Sequence, residues 1–128
     1  MIYMATSINQ SATIVEKAGA AIEDVRGKAL KYDDNGNVVL AAAGEMSVGI
    51  GIMTNFVDIK ADEDVDIQVK DIGLVLAGAE FKKGAELAAD ADGKLIEATE
   101  GQYVVAIAME AAPAADAFIK AQLTKYVK

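Results

Sequence analysis

The sequence predicts an all-β protein: a small antiparallel β-barrel or sandwich with an internal hairpin repeat, behind an N-terminal arm. Three observations carry this. Short apolar runs flank Asp/Asn/Gly clusters at 33–37 and 90–93, the signature of tight hairpins whose turns need positive φ. Apolar and polar or small residues alternate with period two in three segments, as half-buried strands require. No long helical pattern separates these segments, which argues against a βαβ arrangement.

Taken in order, residues 1–12 (MIYMATSINQSA) mix apolar and polar side chains without a clear period and read as an arm, leaving 13–128 as a single β domain. From Ala12 to Val25 two readings compete. Ile14, Ala18 and Ile22 would share a helical face, but Gly19 interrupts it and Thr13-Ile14-Val15 is β-branched, so strand and turn are expected. Ala29–Tyr32 and Val38–Leu40 form the first hairpin around Asn35-Gly36. Met46, Val48, Ile50 and Ile52 alternate with Ser47, Gly49 and Gly51, a half-buried strand whose glycine face admits another backbone. Val65, Ile67 and Val69 alternate with Asp66, Gln68 and Lys70, and Ile72–Leu76 is continuously apolar. Ala85–Leu87 and Lys94–Ile96 form the second hairpin, Tyr103, Val105, Ile107 and Met109 alternate again, and Ile119, Ala121 and Leu123 mark a last strand after Pro113. About eight short strands with regular turns fit a barrel or sandwich.

A gapless shift of 57 residues superimposes Gly27, Leu30, Asp33, Gly36, Ala41, Gly44, Val48 and Ile50 on Gly84, Leu87, Asp90, Gly93, Ala98, Gly101, Val105 and Ile107. About two identities would arise by chance over this span in so alanine-rich a chain. The expected unit, used at 27–54 and 84–111, is glycine turn, strand, Asp-x-x-Gly hairpin, strand, glycine turn and alternating strand.

Composition excludes more than the motifs assert. A net charge of −8 dilutes twelve cations among twenty anions, against nucleic-acid binding, which needs clustered Lys and Arg. No apolar run approaches a membrane span, and the start lacks the basic and apolar regions of a signal peptide, so cytoplasmic synthesis is expected. The chain has neither cysteine nor histidine, which removes thiol and histidine nucleophile chemistry and most zinc sites. Asp58, Asp62, Glu63, Asp64, Asp66 and Asp71 could offer calcium several oxygens, but the glycine and terminal glutamate of a calcium loop are out of register, and a solvated turn accounts for them. Turn chemistry likewise accounts for Asp33–Asn37 and Asp90–Gly93. Two carboxylates could in principle cleave a glycoside, but the chain has no tryptophan and seven aromatic residues in all, a poor supply of sugar platforms. Gly49-Ile50-Gly51 lacks the Gly-Lys-Ser/Thr of a phosphate loop. Met46, Met53 and Met109 suit core or edge packing. No catalytic, cofactor or metal site is expected.

The segment GKALKYDDNGNVVLAAAGEMSVGIGIMT (27–54) resembles the head-stabilising decoration proteins of lambdoid phages, which place an acidic-Gly hairpin before a Val-Gly-Ile strand. GAELAADADGKLIEATEGQYVVAIAMEAAPAADAFIKAQL (84–123) is similar to the C-terminal half of phage capsid cement proteins. The departures are Ala106, where that family often has glycine, and Glu86, where aspartate is common. The resemblance implies a virion protein on the capsid exterior, with the major capsid protein as partner at capsomer junctions, often as a homotrimer. It also implies an N-terminal arm that orders on the shell, where Ile2, Tyr3, Met4 and Ile8 would supply the apolar contacts. Two other readings stand beside it: the capsid-anchoring base of a head fibre, for which a fibrous continuation after Lys128 is expected and missing, and a small glycan- or peptide-binding barrel, for which an aromatic groove is required.

Overall fold

The structure, a computed structural model, describes residues 10–128. Ten strands occur among them: β1 (Thr13–Lys17), β2 (Ala29–Tyr32), β3 (Val38–Leu40), β4 (Gly49–Gly51), β5 (Asp64–Gln68), β6 (Ile72–Leu76), β7 (Glu86–Ala89), β8 (Leu95–Glu97), β9 (Tyr103–Ala108) and β10 (Phe118–Val127). They form two five-stranded antiparallel sheets, ordered β1-β5-β4-β2-β3 and β6-β10-β9-β7-β8. Of barrel and sandwich, the sandwich-like arrangement is the one formed. In each sheet the edge strands meet only at one isolated bridge, Ala18–Val38 or Ala77–Leu95, short of closure.

The second sheet repeats the first, strand for strand. β2-β3-β4 and β7-β8-β9 keep the offset of 57, so the two hairpin units run in the same order. The same carboxylate closes each hairpin: Asp33 Oδ1 accepts the Asn35 and Asn37 amides at 2.9 and 3.0 Å, and Asp90 Oδ1 accepts those of Asp92 and Lys94 at 2.8 and 3.0 Å. Gly36 and Gly93 supply the positive φ, 80° and 78°, that the turn demands. The repeat also extends past what the sequence match reached. β1 and β6 are counterparts, since the Gly19 N–H donates to Val38 O and the Gly78 N–H to Leu95 O, both at 2.8 Å. β5 and β10 are counterparts too, since the amides of Asp62 and Asp116, each at positive φ, donate to Ala18 O and Ala77 O.

Each half builds its own core from matching positions. Ala18, Ile22, Leu30, Val38, Ile59, Val65 and Ile67 pack together in the first half. Ala77, Phe81, Leu87, Leu95, Ala112, Ile119 and Ala121 do so in the second. Ala29, Ala41 and Ile50 join that second cluster from the first half, and amide bonds from Ala29 to Gly93 O (2.7 Å) and Leu76 to Gly27 O (2.8 Å) stitch the halves together.

Two expected strand patterns are corrected. The strand at 46–52 reduces to Gly49–Gly51 and is buried on both faces, while Met46 stands 59% exposed. β4 lies between β5 and β2 and Ile50 reaches the other half, so neither face is left to solvent. In β9, Val104, Ala106 and Ala108 are buried although the alternation placed them outward, because they pack into the core clusters of the second half, while Tyr103, placed inward, is exposed and Ile107 half-buried.

The glycine face of β4 admits another backbone as expected. A Cβ on Gly49 would overlap Gln68 O, and one on Gly51 would overlap Val25 O, neither of which can rotate away. Gly49→Ala and Gly51→Ala should therefore each cost about 1–3 kcal/mol as overpacking, although the counterparts Ala106 and Ala108 carry that methyl. Urea unfolding checks this; wild-type midpoints for both variants would show that the sheet spreads without strain.

Candidate functional site

The predicted contact residues Ile2, Tyr3, Met4 and Ile8 lie outside the described residues. The chain is anchored just after them: Ala12 O accepts the Val69 amide at 2.8 Å, and Lys70 Nζ donates to Gln10 O at 3.3 Å. Residues 10–12 thus enter beside the end of β5.

Lys70 also lines a groove that runs between the two halves and passes Ser47 and Lys125. A neighbouring hollow of about 470 Å³ lies along Tyr32, Asp34, Met46 and Val48, and another that shares Ser47 and Lys125 with it reaches Tyr103 and Tyr126. The fold therefore gathers three of the four tyrosines, which are scattered in sequence, and sequence spacing held no sign of this. Two of their hydroxyls are committed: Tyr32 donates to Glu16 and Tyr126 donates to Glu86 Oε2 at 2.8 Å. Two of the charges that line the neighbouring hollow, Lys31 and Glu45, pair at 2.6 Å.

The carboxylates singled out in the sequence serve local structure. Asp58 Oδ1 accepts the Asp24 amide at 3.0 Å, Glu63 Oε1 accepts the Lys60 amide at 2.7 Å, and Asp64 pairs with Lys17 at 2.6 Å. The Asp66 amide donates to Asn55 Oδ1 at 2.9 Å. Among the described residues no three Asp or Glu side chains converge as a metal would need, and no helix is long and apolar enough to cross a membrane. The hydrogen bond from the Arg26 guanidinium holds the Asp24 carboxyl below the usual carboxylate range, as an adjacent cation does.

Exposed apolar side chains gather in three places among the described residues: the groove (Tyr32, Met46, Tyr103, Tyr126), the edge of the second sheet (Ile72, Leu74, Phe118), and the turn after β4 (Met53, Phe56, Val57). Surfaces of this kind mark contacts with other macromolecules more often than chemistry.

The comparisons agree with that character. The profile of one family, described as phage cement protein, matches residues 47–123, which is more than half of the chain. Among solved structures, the chain resembles the N base of the head fibre gp8.5 of bacteriophage phi29, with a TM-score of 0.67 at 17% identity over 88% of this chain and 92% of that one. A likeness at that identity speaks for the fold alone. No curated protein matches in sequence.

The Tyr32–Glu16 contact carries a pH signature. The hydrogen bond to Glu16, then burial, pushes the Tyr32 phenol up to about 12 from 10.0. The folded state holds this proton more tightly than the unfolded chain, so the stabilisation is complete below pH 10 and is lost as pH rises towards 12. A ring-carbon NMR titration should show Tyr32 ionising last in wild type and at clearly lower pH in Glu16→Gln; an unchanged Tyr32 in that variant would show that the contact does not set it.

Proposed function

The chain belongs to the phage cement protein family and is a structural, capsid-decorating protein; from that premise we propose that it sits on the outer face of the assembled head, bridges neighbouring major capsid proteins and acts as a homotrimer. The observation that carries the reading is the family match over 47–123, which takes in the end of the first half and nearly all of the second. Cement proteins act by adding buried contact across capsomer seams, and copies repeated on a lattice or joined as oligomers gain avidity without high affinity at each site. No catalysis is part of this role: the chain offers no cysteine or histidine, and Asp33, Asp58, Glu63, Asp64 and Asp90 are taken up by turns and an ion pair.

In this proposal the arm (1–12) and the β domain (13–128) divide the work. The domain is a preformed body, and the arm binds where assembled subunits create a docking edge, with Ile2, Tyr3, Met4 and Ile8 as apolar anchors. The junction supports this: the chain is pinned at Ala12 by Val69, so residues before it can engage a partner without disturbing the ladder between β1 and β5.

A second reading has one observation in its favour. The fold is shared with a head fibre's N base, so the same body could anchor a fibre. Electron microscopy of decorated heads separates the two, because a fibre base carries a projecting shaft and a cement protein does not.

Deleting residues 1–10 keeps the Ala12–Val69 bond and the β1–β5 ladder, so it should leave the melting temperature of the free protein within about 2 °C, while abolishing co-sedimentation with emptied mature capsids. If the shortened protein coats shells as wild type does, the binding surface lies wholly on the β domain.

A further inference from the structure

The duplication supplies an internal control for what the fold itself needs. Ile52 and Met109 are counterparts, their amides donating to Asp66 O and Lys120 O. Ile59 and Ala112 are counterparts as well, bridging antiparallel to Ile22 and Phe81. Between these points the second half uses two residues, Glu110 and Ala111, and the first half uses six, Met53–Asp58. Two residues make the connection in the second half, so the longer loop is an addition to the shared module, as is the longer Glu23–Arg26 segment it bonds to.

That loop carries the most exposed large apolar side chain among the described residues, Phe56 at 79%, with Val57 and Met53 also exposed beside it. It is nonetheless firmly held. Asn55 Nδ2 donates to Ile52 O at 3.0 Å and to Asp66 O at 2.8 Å, and its Oδ1 accepts the Asp66 amide. The Val25 amide donates to Val57 O at 3.0 Å, and Asp58 is tied to the Asp24 amide. Single exposed apolar residues are ordinary; three on one inserted loop, fixed by side-chain bonds at its centre and end, form an anchor whose ordering cost is met before binding. The loop carries one carboxylate of its own, Asp58, and two of the residues bonded to it, Asp24 and Asp66, are acidic, with Arg26 paired to Asp24 at 2.9 Å.

We propose that the Met53–Asp58 loop is a shell-binding knob, with Phe56 entering an apolar pocket rimmed by Lys or Arg side chains on the assembled capsid. This rests on the cement reading above, and Asp58 together with the chain's net charge of −8 is what favours a basic rim. In co-sedimentation with emptied mature capsids, Phe56→Ser should weaken binding at least tenfold, Phe56→Leu should retain most of it, and both should melt with wild type because the side chain packs against little. Raising salt from 50 to 500 mM should weaken wild-type binding several-fold, and Asp58→Asn should reduce that salt dependence. If Phe56→Ser coats shells with wild-type affinity while wild type binds, the knob is wrong and the cement reading stands. If wild type itself fails to bind, both fall. If Phe56→Ser instead lowers the oligomeric state of the free protein in sedimentation velocity, the loop joins copies of this chain and the proposal is overturned.

Discussion

One carboxylate in each half ties together the parts of its module that are far apart in sequence. Asp33 and Asp90 each use Oδ1 to close a hairpin through two amides. Their other oxygen lies against Gly19 and Gly78, where a Cβ would overlap it. Those glycines directly follow the residues through which the first strand of each half bridges to the third. The hairpin and the opening strand thus meet at one aspartate and one side-chain-free backbone position. A half-buried carboxylate is tolerable there because amides satisfy it, and a larger residue at either glycine would push that carboxylate aside.

The two copies of this module have diverged where they meet other things. In the first half, Ala29, Leu40, Ala41 and Ile50 face the second, and three of them are buried in its core. Their counterparts are Glu86, Glu97, Ala98 and Ile107, and that surface is covered by the end of β10: Tyr126 bonds Glu86 and Lys128 Nζ bonds Ala98 O. The Gly44 amide donates across to Ala89 O, whereas its counterpart Gly101 donates to Lys128 O, both at 2.9 Å. The halves therefore join head to tail once, and the long last strand occupies the place that a third module would take. Such capping is how stacked repeats stop adding units.

Much of this was legible in the sequence where local chemistry decides the outcome. Asp-x-x-Gly turns fix both hairpins whatever surrounds them, so β2-β3 and β7-β8 and their offset of 57 could be read directly. The full duplication could not. Its counterparts shift to an offset of 59 at Ala18 and Ala77 and to 54 at Asp62 and Asp116, because the loops between strands differ in length, and few identical residues remain to register them. Burial on both faces of β4 was misjudged because alternation reports one neighbouring layer and Ile50 reaches the other half; in β9 the alternation pointed to the wrong face, Tyr103 being exposed and Val104, Ala106 and Ala108 buried. Phe56 was passed over for a related reason: an isolated aromatic in a loop has no period, and only comparison with the shorter counterpart loop exposes it as an addition. The four arm residues proposed as contacts lie outside the described residues.

Physically, a cement protein must be stable alone and yet reserve its adhesive surface for an assembled shell. Two small cores of matching design provide the first requirement. The net charge of −8 bears on the second, since it opposes non-specific association in solution, and in the proposed account the protein commits where an apolar site and opposite charge coincide. The most direct measurement is a cryo-electron-microscopy reconstruction of emptied mature heads recoated with the pure protein. The account predicts density on the outer face across capsomer junctions, with residues 53–58 of the first half turned towards the shell. Density confined to the inner face, or bodies bound with that loop pointing to solvent and no contact across a seam, would contradict it.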